Sequence, residues 1–339
     1  MAGAKEVTLL TGFLGAGKTT LLNRIIAKKT EVRFAVIENE VGAENIDAEL
    51  IVNTAIPISE LQNGCLCCSL SEDIFEVLNQ LWDQRVSWDH LIIEATGIAD
   101  PANIAHPFLT NSNVRKGFLL KRVICVVDAE LVEDQLREIP ESICQIAFSD
   151  IILINKIEQV SPAYIKSLEQ LLRSLNPFAV ILSKPQIGFN VNTLFSFERF
   201  EGDLQTPVEQ NSASKRFSFV PGKSVPVKSG LMVSSHIRHD HSDIETIVLK
   251  YSEPFDLSHL QHRVNVFLIL QSAGVYRIKG VLNIKEHPEK MILQTVGKSV
   301  AVHPGKVWEL GERRESKIVI IGKNLKAEAF DKMFKASLI

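Results

Sequence analysis

The sequence has no apolar run near the roughly 20 residues that a membrane-spanning helix needs; stretches such as residues 151–154 and 264–270 are far shorter. Neither sign of charge is in excess. With 37 basic and 40 acidic side chains the net charge is -3, which argues against nucleic acid or an anionic membrane as a general partner. Cysteine is scarce at five residues, and three of these fall within four positions, so a secreted disulfide framework is not expected. The N-terminal apolar segment lacks a cleavage-site pattern and runs into a glycine-rich loop; the expected compartment is the cytoplasm, where thiols stay reduced. No internal repeat or low-complexity tract is found. What remains is an ordinary globular balance, 45% hydrophobic and 23% charged, in a chain of 339 residues, long enough for two domains.

The chain is organised around Gly12-Phe13-Leu14-Gly15-Ala16-Gly17-Lys18-Thr19-Thr20, which fits the G-x-x-x-x-G-K-[ST] phosphate-binding pattern from Gly12 to Thr19. A β-prone run (7–10) enters it and a helix-forming run (21–26) leaves it. Glycines there let main-chain N–H groups converge on phosphate oxygens, while Lys18 reaches the β and γ phosphates and the Thr19 hydroxyl is placed for Mg²⁺. A second β-type run, 32–37, ends in Glu38-Asn39-Glu40-Val41-Gly42, with Asp47 further on. Ligands of open α/β sheets sit at the carboxyl ends of the strands, so Glu38 and Glu40 are candidates for Mg²⁺, a water or another metal; the alternative is a solvated acidic loop.

Cys65-Leu66-Cys67-Cys68 follows. Thiolates are soft donors for Zn²⁺, Cu⁺ or iron–sulfur clusters. Adjacent Cys67 and Cys68 point in different directions, which favours two thiolates plus a distant carboxylate or histidine over three thiolates together; small residues packing a helix start are the alternative. Cys125 and Cys144 sit in apolar contexts and are read as structural. The buried-strand pattern Leu91-Ile92-Ile93 leads into Glu94-Ala95-Thr96-Gly97, the Walker B position, where Glu94 is expected to orient Mg²⁺ through water and Gly97 to approach the γ-phosphate. His90, just before, is read as structural. A further strand reaches Asp128, and 151–154 runs into Asn155-Lys156-Ile157-Glu158, which resembles the base-reading N-K-x-D of GTPases with Glu158 in place of Asp.

Strands alternating with helices to this point predict a doubly wound, mostly parallel α/β sheet over residues 1–195. Residues 196–235 read as a linker rich in Gly, Pro, Ser and Asn. His236, His239 and His241 then form either a metal-loading site or one face of an edge strand. Residues 236–339 are expected to form a smaller α/β domain, with strands at 243–251, 275–284, 290–303 and 317–321 and helices at 257–272 and 327–338. Arg277-Ile278-Lys279-Gly280 offers positive charge to a partner or the nucleotide, or is a solvated strand end. No nucleophile constellation is found in this part.

Together, the phosphate loop, Glu38-Asn39-Glu40 with Gly42, Cys65-Leu66-Cys67-Cys68, Glu94-Ala95-Thr96-Gly97 and Asn155-Lys156 resemble the CobW-type metallochaperone GTPases, a P-loop family. Leu175-Asn176-Pro177, Arg277-Ile278-Lys279-Gly280-Val281 and Ile320-Ile321-Gly322 resemble its later segments. The resemblance implies GTP hydrolysis with Mg²⁺, coupled to delivery of a transition metal, most often Zn²⁺ and in some branches cobalt or iron, to a client metalloprotein. It makes Cys65, Cys67 and Cys68 metal ligands, with a carboxylate from Glu38 or Glu40 completing the site. Glu158 departs from the guanine signature, and Ala43 stands where relatives often carry an acidic residue. Two other classes fit parts of the pattern: a P-loop kinase or ATPase with structural cysteines, and a passive metal-binding or storage protein.

Overall fold

The computed structural model describes residues 3–38, 59–60, 73–183, 189–196, 244–271 and 274–339. The first part of the chain runs β1 (Lys5–Gly12), α1 (Lys18–Lys28), β2 (Phe34–Glu38), β3 (Ser59–Glu60), α2 (Asp73–Asp83), β4 (His90–Glu94), α3 (Pro101–Thr110), α4 (Ser112–Gly117), β5 (Phe118–Asp128), α5 (Val132–Glu138), α6 (Pro140–Phe148), β6 (Ile151–Asn155), α7 (Pro162–Leu175), β7 (Val180–Ser183) and α8 (Val191–Ser196). Among the described residues its seven strands pair in parallel in the order β3-β2-β4-β1-β5-β6-β7. All residues of β2, β4 and β6 are buried, as expected of strands covered by helices on both faces.

Alternation along β1 divides the core. Leu10 belongs to the cluster that includes Leu22 and Ile25 of α1 and Leu168 and Leu172 of α7, whereas Leu9 belongs to the one on the opposite face with Leu78 of α2 and Phe108 of α3. Two helix starts follow local chemistry. Asp100 caps α3 by accepting the Ala102 N–H, and Ser161 caps α7 by accepting the Tyr164 N–H, each ahead of a proline in the first turn.

The second part comprises β8 (Ile244–Tyr251), α9 (Leu257–Gln271), β9 (Val275–Leu282), β10 (Glu289–Val296), β11 (Ser299–Val307), β12 (Ser316–Lys323) and α10 (Ala327–Lys335), with an antiparallel sheet in the order β11-β10-β9-β12-β8. Two expectations are corrected here. The strand-like stretch 290–303 is a hairpin, because Gly297 at φ 56 turns the chain between β10 and β11. Arg277 and Lys279 are neither a solvated end nor aimed at the nucleotide, being 1% and 3% exposed against the end of α6 and the start of β6. The Arg277 guanidinium donates to the Ala147 carbonyl at 2.8 Å and lies 4.6 Å from the centre of the Phe148 ring; the Lys279 ammonium is 3.6 Å from Asp150. Val319 and Ile321 of β12 join the core formed by β6 and α7, so the two sheets share apolar interior. Among the described residues, no helix is long and apolar enough to cross a membrane.

Candidate functional site

At the end of β1, Gly12 adopts φ +134, and a Cβ there would lie 2.1 Å from the Val126 carbonyl oxygen of β5. A residue with a side chain cannot make this exit, so the sheet itself dictates glycine. Phe13 is buried and anchors the loop, while Leu14 is exposed. The Phe13 carbonyl accepts the Ala16 N–H at 3.3 Å and the Lys18 ammonium at 3.1 Å, closing the loop into a ring. Gly15 and Gly17 are also at positive φ, and Gly17 caps α1 without a side-chain hydrogen bond. The first turn of that helix, with the positive end of its dipole, thus lies where the loop would receive a phosphate anion. Thr20 is exposed one residue beyond Thr19.

Thr19 donates its hydroxyl to Glu94 Oε1 at 2.8 Å, so α1 and the end of β4 are joined where a divalent cation would sit. Glu38 ends β2 in register with Glu94, and both are 8% exposed. Register partners on neighbouring parallel strands lie about 5 Å apart with side chains on one face. Two residues past Glu94, the Thr96 hydroxyl is buried with no hydrogen-bond partner. Hard oxygen donors beside an orphan hydroxyl fit Mg²⁺ and its waters: Thr19 and Glu94 would hold it, and it would neutralise charge on the phosphates.

At the end of β6 stand Asn155 and Lys156. Asn155 is buried and donates its side-chain amide to the Ala16 carbonyl at 2.8 Å, bracing the phosphate loop. Lys156 takes φ 57, and its ammonium is 2.7 Å from Asp128, which ends β5 in register with Asn155. Glu158 follows, exposed on the 3-10 turn Ile157–Gln159. The Asp128 clamp was missed as a site residue; its position at a strand end was the available signal.

Glu40, Cys65, Cys67, Cys68, His236, His239 and His241 lie outside the described residues, as do residues 197–235 of the expected linker. Among the described residues, no group of three His, Cys, Asp or Glu side chains is placed to hold a metal ion. Burial raises the thiols of Cys125 and Cys144 to about 12, so both are protonated and poor metal donors at neutral pH. His90 is buried against Thr8 and the rings of Phe34 and Phe195, a structural place.

Comparison with known proteins matches residues 6–183 to the CobW/HypB/UreG nucleotide-binding domain and residues 244–338 to the cobalamin synthesis protein CobW C-terminal domain. The zinc chaperone YjiA of Escherichia coli (strain K12) is 33% identical over 329 residues, 95% of each chain. The zinc chaperone CobW of Pseudomonas aeruginosa is 28% identical over 372 residues, 98% of this chain and 91% of that one. The crystal structure of Zn(II)-bound YjiA GTPase from E. coli gives a TM-score of 0.66 at 26% identity, covering 100% of both chains.

Proposed function

The chain belongs to the CobW family, and from that membership we propose that it is a GTP-hydrolysing metallochaperone: it binds a transition metal, zinc foremost, at Cys65, Cys67 and Cys68 and couples nucleotide state to delivery into a client protein. The observation that carries the reading is the register of Glu38 with Glu94. Glu94 is bonded to Thr19 of the phosphate loop, while Glu38 opens the stretch of chain that leads to the cysteines. One carboxylate belongs to the nucleotide, its neighbour to the metal segment.

On this reading Lys18 leaves the Phe13 carbonyl for the β and γ phosphates, Thr19 and Glu94 orient Mg²⁺ and its waters, and Asn155 with Lys156 frames the base. Glu38, with Glu40, responds to the γ-phosphate, and the spacing of the thiolates follows. The metal is cargo, held by deprotonated thiolates in a reducing cytoplasm, so its affinity falls as pH drops. Names of relatives support this: YjiA and CobW are zinc chaperones, and YjiA is a GTPase bound to Zn(II) in its crystal structure.

The test is Lys18→Ala. Titration with a zinc indicator is expected to show thiolate affinity within about twofold of wild type, while zinc release on adding Mg²⁺ and GTP disappears. Unchanged release in Lys18→Ala identifies a passive metal binder. Full nucleotide hydrolysis by a Cys67→Ala, Cys68→Ala variant, indifferent to zinc, identifies an ordinary P-loop hydrolase or kinase.

A further inference from the structure

The turn after β4 is held from two sides. On one, Gly97 is pressed against the phosphate loop so closely that a Cβ would stand 2.6 Å from the Leu14 nitrogen and 2.8 Å from its Cα. On the other stands Gln145 of α6, fully buried, donating its side-chain amide to the Gly97 carbonyl at 3.0 Å and the Ala99 carbonyl at 3.1 Å. The turn closes on itself through the Ala99 N–H to the Thr96 carbonyl. Movement of the phosphate loop or of Gly97 therefore reaches α6 directly.

Gln145 is costly where it stands, since its Oε1 is buried with no hydrogen-bond partner. An apolar residue of similar volume would avoid that cost, so the contribution of the glutamine lies in its two donated bonds. Two residues on, the Ala147 carbonyl accepts from Arg277 of β9, and Asp150 pairs with Lys279 while its other oxygen accepts the Val123 N–H at 3.0 Å. The Asn176 amide donates to the carbonyls of Ile146, Ala147 and Ser149, which fixes the exit of α6. Less than one turn of helix thus separates the grip on Gly97 from the grip of the second sheet.

We propose that Gln145 is a positioning residue of the nucleotide switch, holding the Gly97 turn against the phosphate loop and passing its position through α6 to Arg277, so that the C-terminal sheet senses the γ-phosphate. The inference rests on the nucleotide-switch reading and adds the route by which the second domain takes part. Gln145 touches no reacting atom. Its effect falls on discrimination between triphosphate and diphosphate, which a role in packing alone leaves unmoved.

The experiment compares wild type, Gln145→Leu and Arg277→Met by affinity for a non-hydrolysable GTP analogue and for GDP, with hydrogen exchange of the full-length wild type in both states. Gln145→Leu is expected to lower the ratio of analogue to GDP affinity by roughly 5- to 10-fold with GDP affinity nearly unchanged, and Arg277→Met to lower it in the same direction. In wild type, exchange at residues 97–99, 145–150 and 275–282 should change together between analogue and GDP. A response confined to the phosphate loop and residues 97–99 overturns the relay and leaves the proposed function standing. Identical exchange everywhere with the two nucleotides overturns both. The wild-type exchange measurement decides the matter even where a variant folds poorly.

Discussion

Gly12 and Thr96 meet opposite constraints at the same site. Substitution of Gly12 by Ala forces a Cβ into the Val126 carbonyl at a φ that L residues avoid, so Gly12→Ala is expected to lose at least about 2 kcal/mol of folding stability by denaturant titration, besides nucleotide binding. Thr96→Val behaves the other way. It removes a buried hydroxyl that lacks a partner, so the nucleotide-free protein should gain about 1 kcal/mol while affinity for Mg²⁺ and GTP falls. A Thr96→Val protein that is less stable, or binds nucleotide as wild type does, contradicts the role given to this hydroxyl. Residue identity in the phosphate loop was legible because steric demand there leaves few options. The Asn155 bond to Ala16 was not, since its partner is 139 residues away in sequence.

Among the elements, β4 carries the clearest pH signature. His90 donates or accepts at Thr8 Oγ1 across 2.9 Å, and burial, with the Arg122 charge beside it, lowers its pKa to about 3. Glu6 lies 3.6 Å away but is 44% exposed and also faces Lys121 and Arg122, so it does not restore the proton. The unfolded chain takes up a proton near pH 6.5 that the folded chain refuses until about 3. The stabilisation from neutral His90 is thus complete above 6.5 and lost as pH falls toward 3, at up to about 1.4 kcal/mol per pH unit. Denaturant unfolding of His90→Gln should show that much less slope across this window; equal slopes would rule out His90 as the source. Strands such as β4 and β6 were readable because burial on both faces writes them as unbroken apolar runs. The β10 to β11 turn left a weaker mark, a single Gly297 followed by Lys298 and Ser299 between Val296 and Val300, too short an interruption to separate two strands by pattern alone.

At the scale of the whole molecule, the two sheets act on a shared core and a shared set of buried charges. Lys279 and Asp150 are separated by 129 positions in the chain, and a local reading of charge at 277–280 had no means of finding that partner. The CobW resemblance could be read from motifs, whereas the joining of the two sheets through Arg277 and Lys279 required the fold. This joining ties the second sheet to α6, which grips the Gly97 turn beside the phosphate loop, and Glu38 ends β2 in register with Glu94.

Zinc affinity measured with Mg²⁺ and a non-hydrolysable GTP analogue, with Mg²⁺ and GDP, and without nucleotide is the most direct test of that coupling. A coupling free energy of about 1 to 3 kcal/mol predicts affinities differing by roughly 5- to 150-fold between nucleotide states, with zinc shifting the affinity for the analogue by the same factor. Equal zinc affinity in all three conditions would contradict the account.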